Sequence, residues 1–222
     1  MKDSKKLIIW DFDGVIADTE KLWLKNRVTA LNEKFDLKWD LQKANRIIGG
    51  MSDKTKTEVL NNMAIYTDEE FWNNMVKADN KSMLQGFKII DGVEEIMKHH
   101  EIKQCIATGG TMEKTLKKVA VIALENIFPL EKIFVADMVE KGKPAPDLFL
   151  YACKKMGETP ENTIVIEDSV AGLTAAIKAG MTPIAFTGTE LNNNPEYKEK
   201  IKKLGVNLIF DKMKDIENYI FN

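Results

Sequence analysis

Short apolar runs recur along the chain, each bounded by Gly, Asp or Pro: Leu7–Trp10, Gln104–Thr108, Ile133–Ala136, Thr163–Ile166, Pro183–Phe186 and Asn207–Phe210. Each is too short for a helix, and an unbroken apolar run of this kind predicts a strand buried on both faces. Between them lie segments whose apolar residues follow a helical spacing: Val93–His100, Met112–Ala123, Asp147–Met156 and Gly172–Ala179. Strands alternating with helices predict an α/β fold, a Rossmann-like parallel sheet with right-handed crossovers.

Residues from Asp18 to Leu84 break this rhythm. Leu24, Val28, Leu31 and Phe35 share a helical period, as do Val59, Leu60 and Met63, and then Phe71, Met75 and Leu84. Breaks fall at 35–39, 48–52 and 66–68, where Thr67 is expected to cap the next helix with Glu70 as its box partner. The pattern predicts a four-helix cap over 18–85, inserted after the first strand, with a sheet core made of 1–17 and 86–222. The insert leaves and re-enters the chain beside the acidic residues that follow that strand, so it is expected to act as a lid.

Composition narrows the field. With 32 Lys and Arg against 34 Asp and Glu, the net charge is −2, which argues against a nucleic-acid coat or a polybasic membrane protein. Two cysteines, Cys105 and Cys153, exclude a disulfide scaffold or a Cys-based zinc site. The two adjacent histidines, His99 and His100, leave little for a Ser-His-Asp triad or a multi-His metal site. No stretch of about 18 apolar residues appears, and no signal-peptide core follows Met1-Lys2-Asp3-Ser4-Lys5-Lys6. The expectation is a cytoplasmic monomer with free, buried cysteines and no nucleic-acid or membrane partner.

The candidate chemistry lies at strand ends. Asp11 and Asp13 follow the first strand, and ligands of open α/β sheets bind at the carboxyl ends of strands. Residues two apart in extended chain point the same way, so both carboxylates face that crevice, where their repulsion invites a cation. Glu167 and Asp168 close a later run; taken alone they read equally well as a helix N-cap, but with Asp11 they suit a hard divalent ion. Thr108-Gly109-Gly110 ends another strand, either as a plain turn or as an anion site made by a hydroxyl and glycine N–H groups. Lys143, held between Gly142 and Pro144, suits a positioned countercharge.

Together the four pieces resemble the haloacid-dehalogenase superfamily of phosphotransferases, and the resemblance covers nearly the whole chain. Asp11-Phe12-Asp13-Gly14-Val15-Ile16 is similar to its first motif, Thr108 to its second, Lys143 to its third and Glu167-Asp168 to its fourth. The insert resembles the small α-helical cap of the branch that contains β-phosphoglucomutase and many sugar phosphatases. The resemblance implies that Asp11 is a nucleophile forming an aspartyl-phosphate and that Asp13 is the general acid and base. It implies Mg²⁺ held by Asp11, the Asp13 carbonyl, Asp168 and Glu167 (the last directly or through water). It implies Thr108, the Gly109 N–H and Lys143 as holders of the phosphoryl oxygens, and a small phosphorylated metabolite, such as a sugar phosphate, as substrate.

The chain departs from the mutase pattern in the cap. Trp23 stands where the mutase carries a histidine, and Gly49-Gly50-Met51-Ser52-Asp53 stands in place of its Lys-Gly-Val-Ser-Arg loop. The lysine after the second-motif hydroxyl is replaced near Thr111. These departures favour hydrolysis over a phosphomutase, and the retained Asp11, Asp13, Lys143 and Asp168 speak against a silent phospho-ligand binder. Gly50, Met51 and Ser52 are expected to reach substrate, because glycine lets that loop approach the crevice. Arg27 and Arg46, the only arginines, read as surface helix residues, with a fork for a substrate carboxylate or second phosphate as the alternative; Trp23 reads as cap core before a platform for a sugar, and Asp18 as structural.

Overall fold

The computed structural model describes residues 5–222. The reading of the amino terminus therefore rests partly on Met1 to Ser4, which lie outside the described residues. All six apolar runs form strands: β1 (Leu7–Trp10), β2 (Lys103–Thr108), β3 (Ile133–Val135), β4 (Thr163–Glu167), β5 (Thr182–Phe186) and β6 (Ile209–Phe210). They make one parallel sheet in the order β3-β2-β1-β4-β5-β6. The last run is shorter than expected, since at the sheet edge β6 has only β5 to pair with.

Between β1 and β2 come five helices: α1 (Glu20–Phe35), α2 (Leu41–Ile48), α3 (Asp53–Asn62), α4 (Glu69–Met83) and the short α5 (Val93–Met97). The remaining helices are α6 (Met112–Val121), α7 (Asp147–Lys155), α8 (Val170–Lys178), α9 (Pro195–Lys203) and α10 (Met213–Phe221). No helix of the described residues is long and apolar enough to cross a membrane.

Successive strand residues feed opposite faces of the sheet. Ile8 and Trp10 of β1 join Ile106, Ile164 and Ile166 in a core closed by Val93, Ile96, Val119, Met213 and Ile216 from α5, α6 and α10. Leu7 and Ile9 face the other way, onto Leu148, Phe149 and Ala152 of α7 and Ala175 and Ala176 of α8. Both free cysteines are buried, Cys105 in β2 and Cys153 in α7, and burial pushes the Cys105 thiol up. Each fully buried aliphatic side chain contributes about 1.5–3 kcal/mol, so β1 is anchored from both sides and the residues after it are fixed.

Several helix ends differ from the expected ones for local reasons. α5 stops at Met97, and the Gln104 side-chain amide donates to the carbonyls of Ile96 (3.2 Å) and His99 (3.1 Å) beyond it. α6 stops at Val121, with Ala123 in the left-handed region (φ 55°) just after it. α8 begins at Val170 because Ser169 accepts from the Gly172 N–H. α4 is capped by Asp68, whose Oδ1 accepts from the Phe71 N–H at 2.8 Å. Thr67 does not cap it; its hydroxyl accepts from the Trp72 indole N–H instead. Leu84, read as part of the α4 period, lies past the helix end and is exposed.

Gln104 also accepts from the indole N–H of Trp10 at 2.9 Å, beneath the residue that leads to Asp11. Gln104→Leu is expected to lower stability by about 1–3 kcal/mol, because it orphans that buried donor. A denaturant midpoint unchanged from the parent would show that the indole finds another partner.

The helices α1–α4 build their own core from Leu24, Leu31, Trp39, Ala44, Ile48, Leu60, Phe71 and Met75. The periodicity of this segment is satisfied largely within it, with Leu191 from the loop after β5 joining its core.

Candidate active site

The register sets the site. Trp10 pairs with Ile106 on one side and Ile166 on the other, and the Asp11 N–H continues the ladder by donating to the Ile166 carbonyl at 3.0 Å. One step on, Asp11 lies beside Ala107 and Glu167, so the ends of β1, β2 and β4 bring Asp11, Thr108 and Glu167-Asp168 to one edge. Gly14 turns the chain back with φ 86°, and a Cβ there would lie 2.0 Å from Asp168 Oδ2. Only glycine allows the loop after β1 to rest on that carboxylate.

Lys143 is buried, and its ammonium donates to Asp11 Oδ1 at 2.5 Å and to Glu167 Oε1 at 2.8 Å. Glu167 Oε2 accepts from the Ser169 N–H at 2.6 Å. Asp168 Oδ2 accepts from the Asn192 amide at 2.8 Å, and its carbonyl accepts from Asn192 and from the Tyr197 hydroxyl. Burial raises the Asp11 carboxyl to about 7; Lys143 opposes the rise, while Glu167 and Asp13 add to it. Burial, Glu167 and Asp11 together push Asp168 well up. Three carboxylates thus share one lysine, a shortage of positive charge at the end of the sheet.

A divalent cation would relieve that shortage. Among the described residues no three Asp, Glu, His or Cys side chains close into a ready-made cage. Mg²⁺ does not need one, because it binds through one or two carboxylates and fills its octahedron with waters and substrate phosphate. The oxygen donors of Asp11, Asp168 and the Asp13 carbonyl are of the right chemistry, so the residues fit that ion.

Asp13 is gripped on both oxygens. Oδ1 accepts from the Thr19 hydroxyl and from the Trp23 indole N–H at 2.5 Å, and Oδ2 accepts from the fully buried Lys118 at 2.6 Å. Burial would raise this carboxyl, but the charges of Lys118 and Lys114 and the hydrogen bonds from Lys118 and Thr19 hold it well below the usual range. Trp23 is therefore buried but is more than packing. Nor is it a free platform for a sugar ring, since the Lys114 ammonium covers its face at 3.9 Å.

Thr108 is buried, its hydroxyl 3.5 Å from the Gly110 N–H. The cap loop comes down beside it. A Cβ on Gly109 would lie 3.3–3.4 Å from backbone atoms of Gly50, Met51 and Ser52, and one on Gly50 (φ 68°) would lie 2.1 Å from Ser169 Oγ. The crevice between the helices and the sheet is lined by Asp11, Asp13, Gly50, Met51, Ser52, Thr108 and Gly109. The Ser52 hydroxyl is already engaged, capping α3 by accepting from the Thr55 N–H.

The crevice wall also holds Arg27, Asp79 and Lys114. Arg27, expected on the surface, is buried; it donates to both oxygens of Asp79 at 3.0 Å and to Asp53 Oδ1 at 3.2 Å, while its Nε has no partner. Asp79 also accepts from Lys114 at 2.5 Å and from Asn26 at 2.9 Å. Burial and the nearby Arg27 charge bring the Lys114 ammonium down to about 8. The signal for Lys114 and Lys118 was their spacing of four behind the Thr111 cap, which puts both on one face of α6. Arg46 does lie on the surface, 3.5 Å from Glu196.

The family model for haloacid dehalogenase-like hydrolases matches residues 8–186. A phosphorylated carbohydrates phosphatase of Thermotoga maritima is 27% identical over 190 residues, covering 84% of this chain and 87% of its own. A fructose-1-phosphate phosphatase of Escherichia coli is 26% identical over 179 residues, 80% of this chain and 94% of its own. A haloacid dehalogenase-like protein of unknown function from Agrobacterium tumefaciens superposes with a TM-score of 0.80 at 25% identity, over 97% of both chains. With the family model spanning β1 to β5, and with this sheet order and this placement of the four motifs, the chain belongs to the haloacid dehalogenase-like hydrolases.

Proposed function

We propose that this hydrolase is a Mg²⁺-dependent phosphatase of a small phosphorylated metabolite, a sugar phosphate in particular, and that it works through an aspartyl-phosphate on Asp11. The observation that carries the reading is the pair of acids after β1 in opposite settings. Asp11 sits among carboxylates with Lys143 on one oxygen, and Asp13 is gripped by Thr19, Trp23 and Lys118. The two relatives named above, which act on phosphorylated carbohydrates and on fructose 1-phosphate, support the substrate class.

In this reading an Asp11 carboxylate oxygen attacks phosphorus as the bond to the leaving oxygen breaks; Asp13, ionised in the free protein, takes up a proton from solvent as the substrate binds and passes it to that oxygen. A water then attacks the phosphorylated Asp11, giving its proton to Asp13 and freeing the carboxylate. Lys143, the Thr108 hydroxyl and the Gly109 N–H hold the phosphoryl oxygens, where charge concentrates during transfer. Asp11, Asp168 and the Asp13 carbonyl, with Glu167 beside them, would hold Mg²⁺, which would supply the positive charge that lets an anionic nucleophile meet an anionic phosphate. The helical segment 18–85 serves as the cap, with Gly50-Met51-Ser52 bordering the phosphoryl site.

Hydrolysis rather than isomerisation is expected. A mutase must shield its phosphoenzyme from water while the intermediate turns round, and the crevice wall holds Trp23 and Asp53 at the places where the mutase pattern differs. β-Glucose 1-phosphate, with or without a bisphosphate activator, should yield little glucose 6-phosphate in a coupled assay. Some monophosphate ester in a metabolite panel should release inorganic phosphate. Rapid isomerisation with negligible phosphate release would overturn this reading in favour of a phosphomutase.

A further inference from the structure

Beyond the phosphoryl site, the crevice wall carries five cations: Arg27, Lys54, Lys56, Lys114 and Lys117. Four are already engaged by carboxylates. Arg27 is held by Asp79 and Asp53, Lys56 reaches Asp53 Oδ1 at 3.4 Å, Lys114 reaches Asp79 at 2.5 Å, and Lys117 reaches Glu113 at 2.6 Å. Lys54, the fifth, lies exposed with its ammonium 3.4 Å from the Glu140 carbonyl. A second anionic group on a substrate would therefore meet no buried cation that it did not first have to take from a carboxylate.

One group in this wall is half-committed. Asp53 stands at the start of α3, with its side chain 39% exposed and both neighbouring cations on Oδ1. No donor of the described residues bonds Oδ2. The bonds to Arg27 and Lys56 fix the carboxylate and outweigh its partial burial, so it stays ionised. A fixed carboxylate oxygen with room beside it accepts hydrogen bonds from hydroxyl groups and repels a second anion.

We infer that the crevice selects a neutral, hydroxyl-bearing leaving group over one that carries a second negative charge, and that Asp53 sets this preference. The inference rests on the phosphatase reading and adds the class of substrate, a monophosphate of an uncharged polyol or sugar. Recognition of the phosphate and of the leaving group are then separate. Lys143 and the strand ends take the dianion, and the α1–α3–α4 ion-pair network takes the rest of the molecule.

The test compares glucitol 6-phosphate with 6-phosphogluconate, two open-chain hexose derivatives that differ only in a terminal hydroxymethyl against a carboxylate. For the parent enzyme with Mg²⁺, kcat/KM for glucitol 6-phosphate should exceed that for 6-phosphogluconate by about tenfold or more, a difference near 1.4 kcal/mol. Asp53→Asn should shrink that ratio at least severalfold, and Asp53→Glu should restore it. A parent ratio near one, or a preference for 6-phosphogluconate, overturns the inference. A large parent ratio that Asp53→Asn leaves unchanged overturns the role of Asp53. Calorimetric binding of the same two esters to the Asp11→Asn variant separates this question from catalysis. Tighter binding of glucitol 6-phosphate without turnover by the parent would sustain the selectivity and sink the phosphatase reading; equal binding would overturn the selectivity.

Discussion

Asp11→Asn is expected to abolish phosphate release while the protein stays folded. An amide has the shape of the carboxylate but no nucleophilic oxygen, and it cannot form the aspartyl-phosphate. The fold should tolerate the change, because burial already disfavours a charged Asp11 and because Lys143 keeps its 2.8 Å bond to Glu167. Turnover and a melting curve are the two measurements. Activity within about tenfold of the parent, a barrier change near 1.4 kcal/mol, would remove Asp11 from the nucleophile's role. A collapsed melting curve would instead mark Asp11 as a structural partner of Lys143.

The second large effect is on the metal. The parent should lose activity on exhaustive chelation and regain it with Mg²⁺, and Asp168→Ala should raise the Mg²⁺ concentration for half-maximal activity by about tenfold or more. Full activity after chelation would end the metal proposal. The same variant makes a stability prediction with the opposite sign. Asp168 is pushed up by burial, Glu167 and Asp11, so at neutral pH its ionised form costs the metal-free protein stability. With chelator present, Asp168→Ala should therefore melt no lower than the parent. Its backbone contacts survive, since Asn192 and Tyr197 also bind the Asp168 carbonyl. A clear fall in melting temperature would mean that the carboxylate braces the Gly14 turn even without an ion.

The elements and the strand ends are legible in the chain's pattern alone. Apolar runs such as Leu7–Trp10 have one stable use, a strand covered on both faces, and parallel strands put their carboxyl ends along one edge. Asp11, Thr108 and Glu167 could be brought together on paper for that reason, and the structure places them at one edge with Lys143 between two of them. Local choices were less legible. Whether Thr67 or Asp68 caps α4 depends on a single backbone turn, and the composition around it suits either.

The grip on Asp13 and the wall of the crevice arise from contacts between distant parts of the chain. Lys118 and Asp13 lie 105 positions apart, Arg27 and Asp79 52, and Lys114 and Asp79 35. A lysine on a helix has the same pattern whether its ammonium reaches water or a buried carboxylate, because its long apolar stem suits both. Arg27 looked like a surface residue for the same reason. Its burial follows from the packing of α1 against α4, which brings Asp79 to it. The helical periods predicted α1 and α4, but the pairing of their charges across the crevice came from how the two helices pack.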